Sequence, residues 1–534
     1  MAGACVFHRG VTQWTATDKL NPMLSVASSS FQDARPERAV HRLRGLKVSQ
    51  QTAVENAKSA ARLWLLFVAI YFPMMTTLPL YIDAEIAATR DSGGAWIAQG
   101  RWMTYVLLRY ILPFPVVPAF TVGLFGLCAA IAYMLVLRGC RQPFGASSFL
   151  AFAAFAAFPI WSCLLEFPAN TSSAGFGLLL CGVVAYTVER HLTENHKVFW
   201  AIVMVVSATA AIGTYQAFAF VALVVGLAVV FFSDSERKIR DTISVFALIV
   251  ASIAMHLLIQ KLFVTFSGIP LAYIEAFMRP DILLANPLGV VGRTIANSVL
   301  VLTGARSMFG TAIWASGFLI ALAAFIVITQ RRFISTLLLL MILLAPFPLM
   351  LLAGGLVPMR TLLAVPGSIC VCSIVVMNSK SKQLRITGYI LTGTLAIQSA
   401  AAISQYQAER LLAADFDRQM ASRIYEKMSE VADLSKPQKF DIYGGVVRPN
   451  LYSIAVGSTA GASFFSWDGG NIERMSAYLQ MQGYKNLVQL PGNQRRALKP
   501  EFNAMPVFPA NGSVRLLNDV VLVKLGLQSG YYSP

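Results

Sequence analysis

Eleven apolar runs of roughly 17 to 23 residues, the length that crosses a hydrocarbon core, constrain this chain more than any other feature. They fall at about 62–80, 116–138, 146–165, 173–188, 198–214, 217–233, 242–263, 310–329, 333–353, 361–377 and 386–404. Only 13% of the residues are charged, whereas soluble domains carry roughly a quarter. The runs therefore predict a polytopic α-helical membrane protein with about 11 transmembrane helices.

The formal charge of +17 would suit a nucleic-acid binder if it were clustered, but the Lys and Arg residues are dispersed. Several occupy alternate links between apolar runs: Arg138 and Arg141, Arg190 and Lys197, Arg237 to Arg240, Arg331 and Arg332, and Lys380 to Arg385. Basic links belong on the cytoplasmic side. Membrane lipids, not nucleic acid, are the partners this pattern implies. The amino terminus is then cytoplasmic, and the links holding Asp83, Glu166, Tyr215, residues 264–309 and Arg360 face outward, as does everything after residue 405.

Residues 1–60 are polar, lack the apolar core of a secretory signal, and read as a mobile cytoplasmic extension. Residues 61–404 form the multi-span core. The tail, 405–534, changes character: a charged helix (AERLLAADFDRQMASRIYEKMSEVADL), a strand-like FDIYGG, a helix NIERMSAYLQMQGY and a strand VVLVKLGL. It reads as a small α/β domain, outside the cytoplasm if the span count is odd.

No zinc-like spacing links the seven cysteines, which read as small core residues. His256 lies inside a span and reads as a packed or hydrogen-bonded core histidine. The sequence argues for no metal, although a divalent ion shared by Asp83, Glu85 and a phosphate stays open. No Gly-rich phosphate loop is present, which speaks against a nucleotide-sugar donor.

The first outward link, YIDAEIAATRDSGGAWIAQGRWMTYVLLRY, carries Asp83, Glu85, Arg90, Asp91, Arg101 and Arg109 between two apolar spans. Topology does not require carboxylates there, and near a membrane surface they need solvent or a partner. An acidic pair after the first span followed by Gly100-Arg101-Trp102 resembles the GtrII-like O-antigen glucosyltransferases. Tyr215-Gln216-Ala217, Pro358-Met359-Arg360, SWDGGNIERM and MPVFPANGSVRLLNDVVLVKL are similar to that family as well. One departure is that Ala84 separates carboxylates that are often adjacent in the family.

The resemblance implies a GT-C-like helical core on the bacterial inner membrane. It also implies a polyprenyl-phosphate sugar donor, glucose, and a lipid-linked O-antigen or other surface polysaccharide as acceptor on the periplasmic face. Transfer requires a carboxylate to take the proton of the attacking hydroxyl, with Asp83 the first candidate and Glu85 the second. A lipid-phosphate leaving group requires cations near the membrane surface, for which Arg360 and Arg101 are placed. Tyr215, Gln216 and Glu166 are candidate substrate contacts. Arg360 reads equally as a snorkelling anchor, Tyr215 as an interfacial aromatic, and the Trp467-Asp468-Gly469-Gly470 turn as structural. A lipid-linked sugar transporter or flippase is the rival reading from another class, though the spans are almost free of charge. A polysaccharide polymerase or ligase is the second rival, resting on Arg279, Arg293 and Arg306 in the 264–309 loop.

Overall fold

The computed structural model describes residues 36–77, 81–85, 93–112, 118–271, 278–330 and 332–528, with side chains from residue 54 onward. Arg90, Asp91 and Arg331 lie outside the described residues, as do residues 1–35 of the amino-terminal extension.

Each of the eleven apolar runs contains helix, but they differ in length. Six helices are long and apolar enough to cross a membrane: Val54–Thr76, Pro118–Gly139, Pro168–Thr193, Lys197–Thr214, Lys238–Ser267 and Lys382–Ser429. The pair Ala146–Ala157 and Pro159–Leu165, bent by 49°, makes a seventh if it counts as one span. Pro159 has no N–H to continue the first helix, which accounts for the break. Phe218–Phe232, Ala315–Thr329, Phe333–Leu344 and Val365–Met377 are shorter. At about 1.5 Å per residue, a helix of 15 residues reaches roughly 22 Å, short of the roughly 30 Å core. By helix length and composition six or seven of the runs qualify as spans on their own, and the count of about eleven is not confirmed. Hydropathy counts apolar turns such as Ala345-Pro346-Phe347 as if they were helix.

The interior of the bundle is apolar, but one helix also turns polar residues inward and apolar ones outward. In Lys238–Ser267, Ser252, His256 and Gln260 recur every fourth residue on the buried face, while Val250, Leu257 and Leu258 are exposed. Lipid solvates the apolar face, and the polar groups find partners inside. Close helix packing uses small residues. A Cβ on Gly182 would sit 2.6 Å from the Ala132 Cα, and one on Gly175 would sit 2.9 Å from the Phe125 Cα. Pro118–Gly139 and Pro168–Thr193 can therefore approach only through glycine.

Lys382–Ser429 is continuous for 48 residues and runs through the boundary expected near 404 and 405. Beyond it lies a four-stranded sheet in the order β2-β1-β4-β3, formed by β1 (Gln438–Tyr443), β2 (Leu487–Gln489), β3 (Val514–Leu517) and β4 (Val520–Lys524). β1 is parallel to β2 and β4, while β3 and β4 form an antiparallel hairpin. Its turn residues Asn518 and Asp519 both adopt positive φ, as a two-residue hairpin turn of this hand requires. Asn471 caps the helix Ile472–Met481 by accepting the Glu473 N–H at 2.9 Å.

The core of this region includes Phe440, Ile442, Met475, Leu479, Val521 and Val523. Two outside elements share it: Met420, Ile424 and Met428 of the long helix, and Ile82 of the first link. Residues 59–534 accordingly form one compact unit. The sharing of Ile82 brings the first link and the tail together.

Candidate active site

Just after the first span, the chain turns through Tyr81, Ile82, Asp83, Ala84 and Glu85. The Ala84 N–H donates to the Tyr81 carbonyl at 2.9 Å, and Asp83 takes φ +76. Among residues with a side chain, Asp and Asn enter this left-handed region most readily. Asp83 stays partly exposed, with 44% of its side chain accessible, while Glu85 is fully buried.

Both carboxylates meet one cation from the tail. Arg474 Nη1 donates to Asp83 Oδ1 at 2.8 Å and to Glu85 Oε1 at 2.5 Å, and its Nε donates to Asp468 Oδ2 at 2.7 Å. Burial pushes the Glu85 carboxyl above the usual range, and the Arg474 charge opposes that shift without cancelling it. Burial also works against the Arg474 charge, but Asp83 and Glu85 outweigh it and hold the guanidinium above its ordinary pKa. The cation between the two carboxylates is thus a guanidinium. Among the described residues, no group of three or more His, Cys, Asp or Glu side chains gathers as a metal would need.

Asp83 opens into a cavity of about 500 Å³, within the roughly 300 to 1,000 Å³ of small-molecule sites. Arg101, Tyr215 and Arg360 line it too, so four of the seven residues expected from sequence meet in one place. Arg101 is held between aromatic faces, its Cζ 4.4 Å from the Tyr215 ring centroid and 5.8 Å from that of Trp96. This stacking keeps a guanidinium in place at the cavity wall. Arg360, in the turn Met359–Thr361, donates from Nη1 to the Gly457 carbonyl at 3.0 Å and lies 4.8 Å over the Phe167 ring.

Glu85, Glu166 and Gln216 do not line the cavity. Glu166 is buried and accepts from Ser458 Oγ at 2.6 Å, Thr459 N at 2.6 Å and Thr459 Oγ1 at 2.9 Å. Burial raises its pKa, and those three hydrogen bonds work the other way. Its contacts are with the tail, and they seat Thr459 in the cavity wall. Gln216 Nε2 donates to the Gln99 carbonyl at 2.6 Å, holding a residue that lines the cavity.

The sequence reading missed Trp96, Gln99, Asn170, Trp467, Asp468 and Arg474 as parts of this wall. The Trp467-Asp468-Gly469-Gly470 turn is as tight as expected, with Asp468, Gly469 and Gly470 all at positive φ, yet its side chains face the cavity. His256 is buried and accepts from Trp102 Nε1 at 3.1 Å, beside Arg101. Arg279, Arg293 and Arg306 lie away from the cavity wall; Arg279 pairs with Asp281 at 3.2 Å and Arg293 donates to the Gly354 carbonyl at 3.3 Å.

The sequence pattern of the family described as Glucosyl transferase GtrII matches residues 72–377. The chain belongs to that family. No curated protein and no solved structure matches it. Membership makes the chain a membrane glycosyltransferase. The GtrII match takes in all seven residues singled out from the sequence, Asp83, Glu85, Arg101, Glu166, Tyr215, Gln216 and Arg360. Thr459, Trp467, Asp468 and Arg474 lie beyond the matched span and complete the cavity from the tail.

Proposed function

We propose that this glycosyltransferase moves a hexose, glucose, from a polyprenyl-phosphate donor to a lipid-linked O-antigen or other surface polysaccharide. The site faces the periplasm of a bacterial inner membrane, with the amino terminus in the cytoplasm and residues 405–534 forming a periplasmic α/β region. The alternating basic links support that orientation. One observation carries the chemical reading: in a single cavity, the Asp83 carboxylate lies with Arg101, Arg360 and Arg474 and with the aromatic rings of Trp96, Tyr215 and Trp467.

An acceptor hydroxyl attacks C1 of the donor sugar, and its proton passes to the Asp83 carboxylate. The bond from C1 to the phosphate oxygen breaks, and its electron pair leaves on the polyprenyl phosphate. Arg101 and Arg360 offset the charge that develops there. Glu85, buried and tied to Arg474, is the second carboxylate and holds Arg474 beside Asp83. Trp96 and Trp467 offer apolar faces for sugar rings, and Gln99 and Asn170 offer polar groups for their hydroxyls. A transporter would need charge along a path through the bundle, and the apolar runs are almost free of it. A polymerase relying on Arg279, Arg293 and Arg306 would find them away from the cavity wall.

A deletion strain and its parent test this reading by mass and linkage analysis of the surface polysaccharide. The expected result is loss of one hexose per repeat with chain length unchanged. Altered chain length with the repeat intact would favour a polymerase, and no change at all would remove the assignment.

A further inference from the structure

Arg410 is buried far more deeply than an arginine tolerates without compensation. It lies on Lys382–Ser429 with 0% of its surface exposed, and none of its three nitrogens hydrogen-bonds to another described residue. Removing a guanidinium from water is costly unless nearby charge or π density offsets it. Two kinds of group do so here. Its Cζ sits 4.2 Å from the centroid of the Tyr81 ring, and Asp417 and Glu166 are the carboxylates that interact with its charge.

Tyr81 is the residue through which this charge reaches the cavity. It stands two positions before Asp83, and its carbonyl closes the turn by accepting the Ala84 N–H. Its hydroxyl donates to Gln407 Oε1 at 3.5 Å, a longer contact to the same helix. Asp417, two turns along that helix, accepts from Ser463 Oγ and from the Phe464 N–H. One helix face therefore holds the first link through Tyr81 and the tail through Ser463. The turn bearing Asp83 and the segment leading to Arg474 are registered against each other by this post.

We propose that Arg410 is a positioning residue: its buried charge grips the Tyr81 ring and thereby fixes the left-handed Asp83 turn opposite Arg474. The proposal rests on the reading of the Asp83 turn as the catalytic one. Removing Arg410 outright risks misfolding, so the ring is varied first, in the full-length protein in membranes. Tyr81→Phe keeps the π face and should transfer sugar within about twofold of the parent. Tyr81→Leu keeps apolar bulk without the π face, and its kcat should fall about tenfold or more while the donor KM holds within about twofold, because small displacements of a catalytic group are costly. Arg410→Lys should recover part of what Arg410→Leu loses.

Equal kcat for Tyr81→Phe and Tyr81→Leu would overturn the proposal. So would a loss in Tyr81→Leu that disappears when rates are expressed per folded molecule. The underlying reading fails separately, if Asp83→Asn stays active. In that case a surviving split between Tyr81→Phe and Tyr81→Leu would place the held turn around Glu85.

Discussion

Asp83→Asn is expected to lower sugar transfer by about 10² to 10⁴ at unchanged protein level, the range for loss of a general base. The amide is nearly isosteric and can still accept from Arg474 Nη1, which lies 2.8 Å from Asp83 Oδ1, but it cannot take a proton. The turn itself should survive, since Asn tolerates the left-handed φ of +76 as well as Asp does. Transfer rates in membranes, with the variant quantified by immunoblot, make the check. Glu85→Gln is the comparison: if it abolishes transfer while Asp83→Asn does not, the two carboxylates exchange roles.

The second large effect is expected at Arg474, which no pattern in the first link announces. Arg474→Gln removes the cation shared by Asp83, Glu85 and Asp468 and leaves the fully buried Glu85 facing a neutral amide. Transfer should fall by about 10² to 10³, comparable to losing a preorganised electrostatic group in an active site. Arg474→Lys keeps the charge but cannot reach three carboxylates from one planar fork, so it should be intermediate. Asp468→Asn, which leaves Asp83 and Glu85 paired, should be milder than either. Wild-type rates in Arg474→Gln at equal yield would show that the tail does not take part in the chemistry.

The membrane character and the run positions were legible because hydropathy is a local property. Run length was less so: the stretch 333–353 reads as one span, but its helix stops at Leu344 and restarts at Pro348. The tail's elements also announced themselves, through the charged stretch before Ser429, the cap at Asn471 and the β-branched run in β4. Asp83, Tyr215 and Arg360 could be singled out because each sits at the edge of an apolar run, where polar groups need a reason, and Arg101 because it stands in the Gly100-Arg101-Trp102 pattern of the first link.

Partners were not legible, since they depend on contacts across the chain. Arg474 is 391 residues from Asp83, and Ser458 is 292 residues from Glu166. Glu166 was therefore expected to touch substrate, whereas it seats a loop of the tail. The packing of Ile82 into the tail's core explains why the two regions meet, and a single apolar residue in a link carries no such message in sequence.

Donor choice, measured in vesicles that hold the protein and a lipid-linked acceptor, tests the central claim most directly. Labelled hexose is presented either on polyprenyl phosphate or as a nucleotide sugar, with wild-type or Asp83→Asn protein. Transfer from the polyprenyl phosphate by the wild type, its loss in Asp83→Asn and no transfer from the nucleotide sugar alone are the expected results. Transfer from the nucleotide sugar in vesicles free of polyprenyl phosphate would contradict the account.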